Sequence, residues 1–175
     1  QAGTAIQNLQ LLQDSQEQAR HDSLTGLLNH SAVLNALTQE LSRAKRTRHP
    51  VGVLIADLDH FKRVNDTYGH PVGDTVIQET AQRLRETARV YDHVGRVGGE
   101  EFLIILPDCD LQALRECAER LRTAISDMPF DTSSGPLTIT VSIGATVGSP
   151  DHPVSPALLR KMADYALYRV KSRGR

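Results

Sequence analysis

The chain lacks the features that mark zinc-thiolate, membrane-spanning and DNA-coating proteins. Its two cysteines, Cys109 and Cys117, have neither CxxC spacing nor a nearby histidine cluster, which argues against a zinc site or a redox pair. No apolar run approaches the ~20 residues that cross a bilayer, and no signal-like segment opens the chain. With 20 Lys and Arg against 21 Asp and Glu, no global field favours duplex DNA, other nucleic acid or a membrane surface.

The remaining composition suits one domain of ordinary size, because 175 residues can bury a core without disulfides or structural metals. We expect a cytoplasmic domain with reduced thiols. The chain starts at Gln1 without a methionine, so we expect it to be part of a longer protein, and membrane attachment of that longer protein stays open.

Residues 1–21 differ in composition from the rest of the chain. Small and apolar residues recur there at spacings of three and four in a Gln-rich setting, which indicates a weak heptad seam. Two interpretations stay open: a solvent-exposed helical leader, or the stub of a signalling helix that joins an upstream sensor to this domain and pairs two copies. The domain itself is predicted to span residues 22–175. The seam positions are Ala2, Ala5, Leu9, Leu12, Gln16 and Ala19.

Hydrophobic spacing beyond Asp22 predicts alternating helices and strands. Helical spacing covers residues 34–44, 77–88 and 111–125, and a last helix starts at the Ser155-Pro156 cap. Strands are predicted at residues 51–56, 94–97, 102–106 and 137–143, with a short polar segment at 60–69. This order predicts an α/β fold, an α+β sandwich with helices packed on a mainly antiparallel sheet.

Two pairs of acidic residues lie at ends of predicted strands. Asp57 and Asp59 follow the strand at 51–56, and Glu100 and Glu101 precede the strand at 102–106. Carboxylates held together are costly unless neutralised, and a divalent cation is the usual neutraliser. We therefore expect both strand ends to meet at one metal site. The alternative is that these acids only decorate turns, where they are common.

The turn between two strands begins with Gly98 and Gly99. Glycine adopts positive φ without steric cost, so this pair predicts a hairpin. Glu101 follows Glu100 directly, and neighbouring strand residues point to opposite faces, so the two glutamates are expected to differ in role. One would bind a metal, and the other would activate a hydroxyl or complete a second ion.

The chain resembles the GGDEF domain of diguanylate cyclases from about Asp22 to its last residue. The motifs that carry the resemblance are DSLTGLLN at 22–29, DLDHFKRVNDTYGH at 57–70, Gly-Asp at 73–74, GGEEF at 98–102, VSIG at 141–144 and ADYALY at 163–168. The resemblance implies a palm-like nucleotidyl cyclase fold. It also implies a nucleotidyltransferase that joins two GTP molecules into cyclic di-GMP and releases two pyrophosphates. Two departures are Glu100 in place of Asp in the signature and His30 in place of Arg.

The resemblance assigns a metal centre with two Mg²⁺ (or Mn²⁺) ions per site. Asp57, the backbone carbonyl of Leu58 and Glu100 would hold the metal. Glu101 would serve the second ion or activate the 3′-hydroxyl. Two ions can stabilise the attacking and the leaving oxygen of a phosphoryl-type displacement.

The resemblance also assigns the substrate contacts. Asn65 and Asp74 would read guanine, whose N1–H and 2-amino group suit a carboxylate acceptor that adenine would leave unpaired. The alternative for Asp74 is a helix N-cap. The residues that match the family's phosphate contacts are Lys62, Lys171 and Arg175. The alternative for each of them is a solvated surface charge. Gly98 and Gly99 would let the backbone approach the nucleotide, and Phe61 is expected in the core beside the site.

Regulation is the last implied property. Arg89 and Asp92 form an RxxD motif at the position of the family's product-binding inhibitory site. Arginine can fork onto phosphate or guanine edges, and aspartate can accept from guanine donors. The alternative is a surface ion pair worth less than about 1 kcal/mol, and the same pattern recurs at residues 63–66.

A site that holds one GTP needs a second domain facing it, so we expect a homodimer and an inactive monomer. A rival function is a catalytically silent module that binds cyclic di-GMP or GTP. A cyclase for another nucleotide is a third, and Asp74 argues against ATP as its sole substrate.

Overall fold

The computed structural model describes residues 19–173. The predicted seam positions from Ala2 to Gln16 and the phosphate contact assigned to Arg175 lie outside that range. Ala19, the last seam position, lies in a turn, and the domain boundary at residue 22 stays a prediction. The elements are α1 (His30–Thr47), β1 (Val51–Leu58), α2 (Phe61–Tyr68), α3 (His70–Thr87), β2 (His93–Gly98), β3 (Glu101–Pro107), α4 (Leu111–Ser126), β4 (Val141–Gly148) and α5 (Pro156–Ser172).

The four strands form one sheet in the order β2-β3-β1-β4. Every neighbouring pair is antiparallel, so the predicted antiparallel sheet flanked by helices is confirmed. β1 lies between β3 and β4, which places the residues at its end beside both of those strands. None of the helices within residues 19–173 combines the length and apolar character needed to cross a bilayer.

The sheet is buried on both faces, because β1 alternates its side chains between two helical layers. Val53 and Ile55 pack towards α1 and α5, whereas Leu54 and Ala56 pack towards α3 and α4; all four are 0% exposed. Burying one such aliphatic side chain contributes about 1.5–3 kcal/mol. The apolar run of β1 therefore lies at the centre of the core.

The starts of α4 and α5 are capped by side chains, as their sequences favour. The Asp110 carboxylate accepts from the Ala113 N–H at 2.9 Å, and the Ser155 hydroxyl accepts from the Leu158 N–H at 3.2 Å. Pro156 occupies the first turn of α5, where its missing N–H costs nothing. The predicted start of the last helix is confirmed, and the cap sets the direction in which α5 runs to the site.

Two predicted segments differ in the structure. Residues 61–68, expected as a polar connection, form α2. The strand expected at 137–143 begins only at Val141 and runs on to Gly148. Leu137 pairs with Phe130 instead, with N–H to carbonyl distances of 2.7 and 2.9 Å in the two directions, and this local bridge draws the alternating segment away from β1.

Candidate active site

The two acidic strand ends meet, as expected. Asp57 and Glu101 are direct partners in the β1–β3 register, and such cross-strand pairs hold their Cβ atoms about 5 Å apart. The Leu58 N–H donates to the Glu100 carbonyl oxygen at 3.3 Å. Sheet pairing, rather than any side-chain attraction, therefore brings these carboxylates together against their mutual repulsion.

The two adjacent glutamates have different surroundings. Glu100 lines an open hollow of about 470 Å³ together with Asp57, Leu58, Lys62 and Lys171, which we call the acidic hollow. Glu101 is half-buried on the α5 side. Burial raises the pKa of Glu101, and the neighbouring Asp164 and Asp57 carboxylates raise it further, against the opposing charges of Arg160 and Lys171.

The last turn of α5 supplies a cation to the acidic hollow. Lys171 Nζ lies 2.6 Å from Asp57 Oδ1, with the two side chains 26% and 18% exposed. Lys171, predicted as a phosphate contact, thus lies beside the predicted metal ligand. A single, partly exposed ion pair contributes little to stability. Lys171 would matter instead because it brings a positive charge to the acidic hollow.

The expectation that Asp59 joins the metal site is wrong. Its carboxylate is 7% exposed and accepts hydrogen bonds from the hydroxyls of Thr140 and Ser142, each at 2.7 Å. Its backbone N–H donates to the Thr140 carbonyl at 2.9 Å. Asp59 therefore ties the end of β1 to β4, because a buried carboxylate needs donors and β4 provides them.

The hairpin forms at the predicted glycines, but the predicted reason for it is wrong. We call residues 98–101 the signature turn. Neither Gly98 nor Gly99 adopts positive φ. The β2–β3 register shifts between Arg96 and Gly98 instead, and a bulge of this kind bends and twists a strand end. A Cβ at either glycine would have nothing within 4 Å, so the turn is open to an approaching ligand.

The predicted guanine-reading pair lies on α2 and α3. Asn65 Oδ1 is buried without a hydrogen-bond partner, and a Cβ on Gly73 would lie 1.9 Å from it, so only glycine fits there. Asp74 is exposed one residue later and five residues into the helix, which makes the N-cap alternative wrong. Phe61 is 6% exposed in the core, as expected.

The residues around the acidic hollow suit a divalent cation by their donor chemistry. Within residues 19–173 no group of three or more His, Cys, Asp or Glu side chains is arranged around one point. Mg²⁺, however, is usually held by one or two carboxylates with water and substrate phosphates in the remaining positions. Asp57 and Glu100 with the Leu58 carbonyl match that smaller donor set.

The RxxD motif forms a separate turn. The Asp92 carboxylate accepts from the Arg89 backbone N–H at 2.7 Å, and the Arg89 guanidinium donates to the Tyr91 hydroxyl at 3.1 Å. Among the residues 19–173, no ion pair within 4 Å joins the Arg89 guanidinium to Asp92, although the two charges attract each other. Burial raises the pKa of Asp92, with hydrogen bonding to Arg89 opposing it.

Three residues that contribute to the site were not predicted from the sequence. Asp164 and Arg160 on α5 act electrostatically on Glu101 and form an ion pair with each other at 3.9 Å. Arg96 donates to the Gly99 carbonyl. Asp164 lies inside the ADYALY segment, and Arg96 lies just before the signature turn, so their positions were the available signals.

Comparison with known proteins agrees with this geometry. A family model described as "Diguanylate cyclase, GGDEF domain" matches residues 19–175. The diguanylate cyclase DgcP of Pseudomonas aeruginosa is 42% identical over 164 residues, covering 94% of this chain and 24% of that protein. The response regulator PleD of Caulobacter vibrioides is 42% identical over 168 residues, covering 94% and 36%. The chain thus spans only about a quarter to a third of the length of these relatives.

Among solved structures, one similar fold is the coiled coil and GGDEF domain of DgcB from Caulobacter crescentus, determined in complex with c-di-GMP. The TM-score is 0.91 at 29% sequence identity, and the match covers 99% of this chain and 92% of that one.

Proposed function

This chain belongs to the family of diguanylate cyclase GGDEF domains, and from that membership we propose that it condenses two GTP molecules into cyclic di-GMP with release of two pyrophosphates. The observation that carries the proposal is the register of β1 and β3, which sets Asp57 opposite Glu101 and brings Glu100 into the same hollow. Three carboxylates at one sheet end, beside Lys171, suit a site that handles phosphates and cations.

A divalent cation would supply charge neutralisation at the α-phosphate and leaving pyrophosphate when bound. Asp57, Glu100 and the Leu58 carbonyl would hold it. Glu101 would accept the proton of a 3′-hydroxyl, and its raised pKa would make the carboxylate a better base than an ordinary glutamate. Lys62, exposed at the rim of the acidic hollow, and Lys171 would contact phosphates.

Guanine would be read between α2 and α3. Asn65 offers a buried carbonyl oxygen without a partner, and a buried acceptor of this kind costs free energy until a donor reaches it. Guanine N1–H and the 2-amino group are such donors, and the exposed Asp74 carboxylate can accept from them as well. Adenine lacks this donor pair, which favours GTP over ATP.

Two copies of the domain must face each other, because one site of this type holds one GTP and each 3′-hydroxyl attacks the α-phosphate of the other. The protein would work as a homodimer, and an upstream segment of a longer chain would control the pairing.

Product inhibition would act through Arg89 and Asp92. The Arg89 side chain is exposed, and its guanidinium carbon lies 5.9 Å from the centre of the Tyr91 ring, while Asp92 lines a hollow of about 430 Å³ beside it. A flat cation and a carboxylate that are not paired with each other suit the phosphate and guanine of a cyclic dinucleotide. A silent binding module is not favoured, since the chain retains Asp57, Glu100 and Glu101, the acids on which the proposed catalysis depends.

The test is incubation with GTP and Mg²⁺, with products identified by mass. Cyclic di-GMP is expected from GTP, none from GTP after chelation of the metal, and no cyclic product from ATP alone. Glu101→Gln should abolish turnover while binding of cyclic di-GMP at Arg89 is retained. Binding of cyclic di-GMP without any synthesis by the folded protein would instead support the silent module.

A further inference from the structure

Arg96 joins two turns that are far apart in the sequence. Its Nε and Nη2 donate to the Gly99 carbonyl oxygen at 3.0 and 2.8 Å. Its Nη1 donates to the two carboxylate oxygens of Asp22 at 3.2 and 3.4 Å. The side chains of Arg96 and Asp22 are 17% and 23% exposed, about as much as those of the Lys171–Asp57 pair, so the bridge is distinguished by its several hydrogen bonds and not by its burial.

We propose that Arg96 is a positioning residue for the cyclase reaction, which holds Glu100 in its working orientation by anchoring the signature turn to the turn at residues 22–27. The inference rests on the proposed function, because Glu100 matters only if the acidic hollow is the reaction site.

The geometry brackets Glu100 between two anchored peptide groups. A peptide unit is planar, so the two bonds from Arg96 to the Gly99 carbonyl orient the whole Gly99–Glu100 peptide. The Leu58 N–H holds the carbonyl of Glu100 itself at 3.3 Å. With the planes on both sides held, the backbone dihedrals of Glu100 have little freedom, and its side chain is directed into the acidic hollow.

The signature turn needs such an anchor. Gly98 and Gly99 have no side chains, and nothing lies within 4 Å of the position of a Cβ on either. Glycine backbone is the most mobile of all residues when it is not held. Packing therefore does not restrain the turn at these two residues, and the hydrogen bonds of Arg96 supply restraint.

The other end of the bridge is well ordered. Asp22 Oδ1 accepts from the N–H and the hydroxyl of Thr25 at 3.0 and 2.7 Å, and the Asp22 N–H donates to the Leu27 carbonyl at 2.8 Å. Burial tends to raise the pKa of Asp22, but hydrogen bonds from Thr25 and Arg96 outweigh it and lower the pKa. The carboxylate thus stays ionised as a partner for Arg96.

The turn at residues 22–27 is also attached to β2, through backbone hydrogen bonds of the next residue, Leu28. The Arg96 N–H donates to the Leu28 carbonyl at 2.8 Å, and the Leu28 N–H donates to the Val94 carbonyl at 3.2 Å. Arg96 therefore connects the strand, the turn at residues 22–27 and the signature turn through a single residue.

The test compares Arg96→Lys, Arg96→Gln and Asp22→Asn with a matched control, Arg85→Gln. Arg85 donates to the Thr25 carbonyl at 3.0 Å, so the control removes one arginine hydrogen bond to residues 22–27 and leaves the hydrogen bonds of Arg96 in place. Lysine keeps the charge of Arg96 but cannot serve Gly99 and Asp22 together. Backbone hydrogen exchange of residues 98–101, kcat and the KM for GTP are measured for each.

We expect exchange at residues 98–101 to speed up about tenfold in both Arg96 variants, and less in Asp22→Asn. The value of kcat should fall about 10- to 100-fold, as for a misplaced catalytic group, with KM changed less than about threefold. Arg85→Gln should leave both kcat and exchange in the signature turn unchanged.

Unchanged exchange and unchanged kcat in Arg96→Gln would overturn the proposal. It would also be overturned if the loss of kcat came with faster exchange across α3 and α4, since that pattern marks general destabilisation. If the unaltered protein makes no cyclic di-GMP, the proposed function fails, while the exchange result still decides whether Arg96 holds the turn.

Discussion

Asp57 and Asp59 lie two residues apart at the end of β1, yet the structure gives them opposite surroundings. Asp59 is buried and receives two hydroxyl hydrogen bonds from β4. Asp57 opens into the acidic hollow and meets a partly exposed ammonium from α5. One carboxylate is satisfied by the fold, whereas the other is left available for a ligand. The difference lies in their partners, since the residue type is the same and the two residues lie on either side of the last residue of β1.

The sharpest way to test this contrast is the same chemical change at both positions. Asp57→Asn should lower cyclic di-GMP synthesis by about 1000-fold, because it removes a metal-binding charge and with it a major electrostatic contribution to the transition state. The free energy of unfolding should change by less than about 1 kcal/mol. Steady-state rates with GTP and urea unfolding measure the two quantities.

Asp59→Asn should lower the stability of the protein and leave the rate of synthesis almost unchanged. We expect the protein to lose about 1–2 kcal/mol of unfolding free energy, because hydrogen bonds to a buried charge are replaced by weaker neutral ones. The rate per folded molecule should stay within about fivefold of the original protein. Urea unfolding followed by circular dichroism measures the loss, and a larger effect on rate than Asp57→Asn would break the comparison.

Lys171→Met tests the cation beside Asp57. The KM for GTP should rise up to about tenfold, the equivalent of one charge-assisted phosphate contact. Stability should hardly change, because the Lys171–Asp57 pair is partly exposed. Lys161→Met on the same helix, whose exposed side chain is outside the acidic hollow, is the control. Equal KM values for both variants would show that Lys171 does not contribute to GTP binding.

The smallest effect concerns the pH dependence of stability at Glu101. Because its folded pKa is raised above the ordinary 4.5, the folded protein binds this proton more tightly than the unfolded chain does. Stability is therefore lost as pH rises from the ordinary glutamate pKa through the raised one. Glu101→Gln lacks this loss, so its advantage over the original protein should grow across that window and then level off.

Urea unfolding at a series of pH values measures that advantage. Glu119→Gln is the control with the opposite sign, since a hydrogen bond from Arg122 lowers the pKa of the exposed Glu119. A stability difference for Glu101→Gln that does not vary with pH would contradict the account of its burial.

The parts of the fold that the sequence predicts are those with local signals. The apolar run of β1 and the Ser155-Pro156 cap each determine their element within a few residues. The meeting of Asp57 with Glu101 follows once two short strands are paired through a glycine turn. Local sequence patterns therefore suffice to predict both the antiparallel sheet and the meeting of the acidic residues at the site.

The predictions that failed depended on distant partners. Nothing near Asp59 indicates that Thr140 and Ser142 would receive it, because they lie 81 and 83 residues further along the chain. The alternating pattern places Leu137 in the predicted strand, because its pairing with Phe130 gives no signal in the spacing of apolar residues. The bulge between Arg96 and Gly98 replaced positive φ in the hairpin, which no spacing rule anticipates.

The most direct test of the account is the initial rate of cyclic di-GMP formation from GTP and Mg²⁺ over a wide range of protein concentration. Two facing sites predict that the rate per molecule rises with concentration until the dimer is saturated. A rate per molecule that is independent of concentration from the most dilute sample upwards, or no cyclic di-GMP from folded protein at any concentration, would contradict it.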